Sequence, residues 1–181
     1  MQDRFCSGGV IHNSDLVVSA SSRAVRAARE LGVPTVVTEQ YPKAFGPTVP
    51  AIAQHLPGGG EEAVPKKHFS MVVPEVEEKL GAMPARQQVL LCGLEAHVCV
   101  FQTTCDLLER GYQVHLLVDA ISSSRPEERA AALRRLEAAG AHLSTVETAL
   151  FDLMRGSTHE RFKAVSAIIR DRPEGATQMG A

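Results

Sequence analysis

Cys99 stands where a thiol becomes reactive. Val89–Cys92 is a short apolar run of the kind that makes a buried parallel strand, Gly93 interrupts it, and apolar residues at helical spacing begin at the cysteine. Cys99, Val100, Thr103, Leu107 and Leu108 carry that spacing and Gly111 supplies a left-handed stop, which predicts a helix from near Cys99 to Arg110. A thiol at a helix N-terminus meets unpaired backbone N–H groups and the positive end of the dipole, and both favour thiolate. The same N–H groups can hold an oxyanion. The competing reading, a small buried hydrophobe between Val98 and Val100, describes most free cysteines. Lys66, after a short predicted strand at Ala63–Pro65, is a candidate to favour the thiolate by its charge; taken alone, beside Lys67, it reads better as a solvated lysine.

The elements that must position these residues alternate between helix and strand, which predicts an α/β fold with a parallel sheet covered on both faces. Ser14 is expected to cap a helix whose stripe is Leu16, Ala20, Ala24, Ala27 and Leu31, with Gly32 ending it and Val33–Thr38 as the next strand. Gln113–Val118 reads as the strand after the cysteine helix. Ser124, Pro126, Glu127 and Glu128 open another helix, closed by Gly140, with Leu133 and Leu136 facing the core. His142–Ser144 is a short last strand, and Ser144-Thr145-Val146-Glu147 reads as a capping box. Phe162, Val165, Ile168 and Ile169 give a terminal amphipathic helix expected to dock on the core, followed by a flexible tail over 171–181.

With 181 residues, the chain is expected to be one domain over 1–170, and 44% hydrophobic content suffices for a sizeable core. A net charge of −2 gives no bulk attraction to nucleic acid or anionic membrane, and 4% aromatic content without tryptophan argues against a base-stacking surface. No run approaches the length of a membrane span. The 4 cysteines, Cys6, Cys92, Cys99 and Cys105, show neither metal spacing nor disulfide density, so a reducing compartment is expected: cytoplasm first, mitochondrion second. Pro57-Gly58-Gly59-Gly60 lacks the Gly-Lys-Ser/Thr ending of a phosphate loop, and the 7 histidines are scattered, so neither cofactor nor metal is expected.

Several separated motifs resemble the isochorismatase-like cysteine hydrolases, and most of all their isochorismatase domain-containing branch. They are Gly93-Leu94-Glu95-Ala96-His97-Val98-Cys99-Val100, Thr38-Glu39-Gln40-Tyr41-Pro42, Gly46-Pro47-Thr48-Val49-Pro50 and Lys66-x-x-Phe69-Ser70-Met71-Val72, with Asp119-Ala120 closing a strand. The likeness runs from Met1 to about Ile169. It implies a three-layer Rossmann-like fold and a triad of Asp, Lys and Cys, in which Lys66 and Cys99 match. The family's Asp-x-Gln-x-x-Phe motif aligns with Met1-Gln2-Asp3-Arg4-Phe5, so its aspartate, and the N-terminal central strand carrying it, would lie before Met1. Either the chain opens at an internal methionine or it is a variant without its acid–base residue; the cost of stripping ladder partners from a sheet centre favours the first.

The resemblance further implies a non-proline cis peptide at Leu94-Glu95, aiming the Glu95 and Cys99 N–H groups at one oxyanion. Zinc-binding relatives carry Asp-x-His after the second strand, where this chain has Thr38-Glu39-Gln40. Glu39, Tyr41, Phe45 and Phe69 are candidates to line a substrate pocket, with ordinary loop packing as their alternative. The expected activity is hydrolysis of a small amide, ester or enol ether by a homo-oligomer, weakened here by the lack of the aspartate. A non-catalytic binding or scaffold protein is the alternative.

Overall fold

A computed structural model describes residues 1–173. Along the chain run α1 (Asp3–Cys6), α2 (Ser14–Glu30), β1 (Thr38–Gln40), α3 (Pro42–Phe45), α4 (Pro50–Ala53), β2 (Val64–Lys66), α5 (Pro74–Gly81) and β3 (Gln88–Leu94). After a wide turn at Ala96–Val100 follow α6 (Phe101–Glu109), β4 (Gln113–Ser122), α7 (Pro126–Ala138), β5 (His142–Ser144), α8 (Val146–Met154) and α9 (Phe162–Arg170). Every strand pairing is parallel, with β1 beside β2 and, separately, β3-β4-β5. The expected single sheet is therefore two half-sheets, because among the described residues no strand bridges β1 and β3.

Alternation along β4 builds the layers. Val114 and Leu116 point to one face, among Leu107 of α6 and Leu133 and Leu136 of α7, while Leu117 points to the other, among Ala27 of α2, Leu150 of α8 and Val165 of α9. Leu116, Val114 and Leu136 are fully buried, each contributing about 1.5–3 kcal/mol. Arg129 ties α7 to β4 by donating from Nε to Ile121 O at 2.9 Å and from Nη2 to Val118 O at 2.6 Å. The terminal helix α9 docks as expected, burying Val165, Ile168 and Ile169 against α2 and α8.

Local details depart from expectation for identifiable reasons. Gly93 does not end β3; its φ of +150° carries a register shift between Leu91 and Gly93, and pairing resumes through Leu94. β2 runs to Lys66, placing that residue on the strand itself. The strand expected at Val33–Thr38 forms a ladder over Thr38–Gln40 alone, since residues 33–36 find no partner strand. Ser14 is the first residue of α2 and does not cap it; Asn13 holds that place in a left-handed conformation. The cap of α8 is Thr145, one residue past the expected Ser144, which belongs to β5; Thr145 Oγ1 accepts from Thr148 N at 3.2 Å. Of the tail expected over 171–181, residues 174–181 lie outside the described residues.

Candidate active site

The C-terminal ends of β1, β2 and β3 converge on Lys66 and Cys99. Gln40, last in β1, is the register partner of Lys66, last in β2, and the Lys66 ammonium donates to Gln40 Oε1 at 2.7 Å. It also donates to His68 O and Phe69 O, both at 2.9 Å, and lies 3.9 Å from Cys99 Sγ. Three fixed acceptors hold the charge toward the thiol. Burial pulls the Lys66 ammonium below its ordinary pKa, and the neighbouring sulfur opposes that shift.

Cys99 lies in the wide Ala96–Val100 turn and not in the regular helix that starts at Phe101, so the helical geometry begins three residues before the thiol. The Leu94–Glu95 peptide leading into the turn is cis. Glu95 O accepts from Val98 N and Val100 N, both at 3.1 Å, which closes the turn. Its carboxylate Oε2 accepts from Ser124 N at 2.6 Å, and His97 Nδ1 lies 3.0 Å from Ser123 Oγ. The thiol-bearing turn is thus fastened to the segment leaving β4. Thr103 adds a third tie, its hydroxyl accepting from Met71 N at 2.9 Å and holding the Phe69–Met71 segment against α6.

A cavity of about 360 Å³ opens beside Cys99, and Lys66, Phe45, Phe69, Met71 and Val98 share its wall. Two of the four expected pocket residues, Phe45 and Phe69, line it together with Leu94 and Glu95. Glu39 and Tyr41 do not. Glu39 Oε1 accepts from Thr48 N at 2.6 Å and Thr48 Oγ1 at 2.8 Å, bracing the loop before α4. Tyr41 is largely exposed, with the Lys67 ammonium 5.4 Å from its ring. Strand alternation accounts for Glu39, since its neighbours Thr38 and Gln40 line the cavity; Tyr41 follows β1 with a φ of +33°, while Phe45 belongs to α3 and Phe69 to the segment after β2.

Two glutamines were not singled out as site residues. Gln40 orients the lysine, and Gln2 Oε1 accepts from Gln40 N at 2.7 Å while its Nε2 donates to Gln40 O at 2.9 Å and Gly46 O at 2.7 Å. Their presence in the quoted motifs was the available signal. The other cysteines sit in less reactive settings: burial raises the thiol pKa of Cys6, Cys92 and Cys105. Among the described residues, no three of His, Cys, Asp and Glu cluster in metal-holding fashion.

Residues 1–148 match the model of the isochorismatase domain. The chain belongs to the isochorismatase family of hydrolases. It is similar to isochorismatase domain-containing protein 2 of Bos taurus, with 44% identity over 155 residues, covering 86% of this chain and 74% of the relative. It is also similar to a secreted isochorismatase effector, Isc1, of Phytophthora sojae, with 43% identity over 165 residues, covering 90% and 79%. Among solved structures, the MAR1 ribonuclease of Caenorhabditis elegans superposes with a TM-score of 0.87 at 41% identity, covering 99% of this chain and 92% of that one. Family membership accounts for the parallel α/β architecture and for its helices on both faces. No helix among the described residues is long and apolar enough to cross a membrane.

Proposed function

We propose that this isochorismatase-family protein is a cysteine hydrolase of small amides, esters or enol ethers, working without a metal. The observation that carries the reading is the Lys66 Nζ to Cys99 Sγ separation of 3.9 Å at the mouth of a cavity. In an acyl transfer, the Cys99 thiolate forms a bond to the carbonyl carbon and the carbonyl π electrons move onto oxygen, where the N–H groups of Glu95 and Cys99 receive them. Collapse expels the amine or alkoxide, which takes a proton, and water then hydrolyses the thioester to acid and free thiol. In an enol ether the thiolate instead takes a proton from water as the water oxygen bonds to the ether-bearing carbon; the alkene π pair takes up a proton at the far carbon, and the C–O bond then breaks to release the alcohol and a carbonyl compound. The motif Thr38-Glu39-Gln40 offers no histidine at the position where zinc-binding relatives ligate metal.

The leaving group needs a proton. Among the described residues lining the cavity, Glu95 alone carries a carboxylate, and Ser124 N–H occupies it. The second reading is a protein that binds the small molecule and does not turn it over. A substrate panel separates the two: amides, ureas, enol ethers and, because the nematode relative is named a ribonuclease, a short RNA. Hydrolysis of one small molecule, abolished in Cys99→Ala and reduced in Lys66→Met, is the expected result. Binding without turnover supports the second reading; RNA cleavage indifferent to Cys99→Ala overturns the cysteine mechanism.

A further inference from the structure

β4 and β5 carry histidines at paired positions. His115, third in β4, is the register partner of His142, first in β5, and the two rings stand with centroids 4.9 Å apart at an interplanar angle of 31°. Paired residues of neighbouring strands leave the sheet on the same face, and alternation puts His115 with Leu117 on the face that α8 covers. His115 Nε2 is buried there without a hydrogen-bonding partner among the described residues. His142 is exposed, so the ring pair opens to solvent from its side. The place is away from the thiol: His115 also pairs with Leu90, near the start of β3, whereas Cys99 follows that strand's end.

The ring separation is that of two imidazoles sharing one ion. A metal–nitrogen bond of about 2.0–2.1 Å puts each ring centre about 3.2 Å from the metal, and bond angles of about 90–110° then set the two centres about 4.5–5.2 Å apart. Ring stacking alone accounts for the separation and leaves Nε2 without a partner; a shared ion accounts for both. Burial, and then the His142 charge, hold the His115 pKa below the ordinary 6.5, so its ring is neutral near pH 7 with a lone pair to give. Asp152 on α8 pulls the other way, which places a negative charge within reach of the pair without completing a three-residue ligand cluster.

We propose that His115 and His142 form a two-histidine site for a divalent late transition-metal ion, with water on the ion's other positions and Asp152 offsetting its charge. Imidazole nitrogen suits Zn²⁺, Ni²⁺ and Cu²⁺, whereas Mg²⁺ and Ca²⁺ require oxygen ligands that this pair does not offer. Bound there, the ion cross-links β5, a strand of three residues, to the long β4 and stabilises the folded chain by mass action. The inference is independent of hydrolysis, and its test reads no turnover.

The probe is Ni²⁺ alone, titrated by calorimetry into the 181-residue protein at about pH 7.5, where unperturbed histidine is neutral. The parent is compared with His142→Gln, His115→Gln and, as a histidine outside the pair, His55→Gln. His142 is exposed, so its variant keeps the fold and the result does not hang on the more buried ring. Expected are one ion per chain, a thermal midpoint that rises with Ni²⁺, and affinity at least about tenfold weaker in both His142→Gln and His115→Gln, a loss that even an outer contact of a metal site produces. His55→Gln binds like the parent. In parallel, the Cu²⁺ complex of the parent gives an electron paramagnetic resonance spectrum with hyperfine splitting from two imidazole nitrogens; a spectrum showing one nitrogen or none overturns the proposal. Unchanged affinity in either pair variant also overturns it, because a single histidine or a thiol then holds the ion. So does the absence of saturable binding, or a loss in His55→Gln as large as in the pair variants.

Discussion

The Lys66 ammonium stands 3.9 Å from the Cys99 sulfur while its hydrogens are committed to Gln40 Oε1 and the carbonyls of His68 and Phe69. Residues 33 apart in the chain are brought together because β2 and β3 end at the same level of the fold. A buried cation held by neutral acceptors keeps its charge, and burial weakens the screening of its field at the thiol.

Replacing Lys66 by Met therefore slows alkylation of Cys99 by iodoacetamide at neutral pH by about tenfold, the scale of removing one adjacent positive charge. Lys67→Met is the control. Lys67 is exposed over the Tyr41 ring, and its loss leaves the Cys99 rate within a factor of about two. Peptide mapping of the alkylated protein reads both.

Glu95→Ala removes the acceptor for Ser124 N–H and unfastens the thiol-bearing turn from the segment after β4. A stability loss of about 1–3 kcal/mol is expected in urea unfolding, as for hydrogen bonds to charged groups. A change below 0.5 kcal/mol would show that the contact anchors nothing.

After β5, Thr145→Ala removes the side-chain cap of α8, whose Oγ1 accepts from Thr148 N. The expected cost is about 1 kcal/mol, with Thr145→Ser nearly neutral because it keeps the acceptor. Denaturation midpoints of the two variants make the comparison.

His115 on β4 lies opposite His142 on β5, ring centroids 4.9 Å apart, with its Nε2 buried and unpartnered. Burial first, and then the His142 charge, hold its pKa below the ordinary 6.5, against a weaker opposing pull from Asp152. A depressed folded-state value means the unfolded chain binds the proton more readily. This contribution is complete above pH 6.5 and is lost as pH falls toward the folded-state value. Thermal midpoints from pH 7.5 to 5 should fall less steeply in His115→Gln than in the parent; equal slopes would remove His115 from the acid sensitivity.

How much was legible in the sequence follows from how far apart the interacting residues lie. The glycine stops at Gly32, Gly111 and Gly140, the strand at His142–Ser144 and the terminal amphipathic helix are local patterns, and the fold bears them out. Register details were not legible. Gly93 reads as a break because a positive φ interrupts regular strand, yet pairing with the long β4 carries β3 past it. Glu39 could not be told from Gln40, because which side of a three-residue strand faces the cavity depends on how it packs, and the placing of Tyr41, Phe45 and Phe69 depends on the segments that follow β1 and β2.

By itself the sequence determined the class of this protein: alternating helices and strands, and the motifs around Lys66 and Cys99 that place it among the isochorismatase hydrolases. The tertiary structure alone decided the rest. It brought Lys66 to the thiol, made Gln40 and Gln2 its supports, took Glu39 away to Thr48, and opened one cavity beside them. The physical reason is that propensity and periodicity are written in neighbouring residues, whereas charge contacts and side-chain hydrogen bonds arise between segments that meet only when the layers pack.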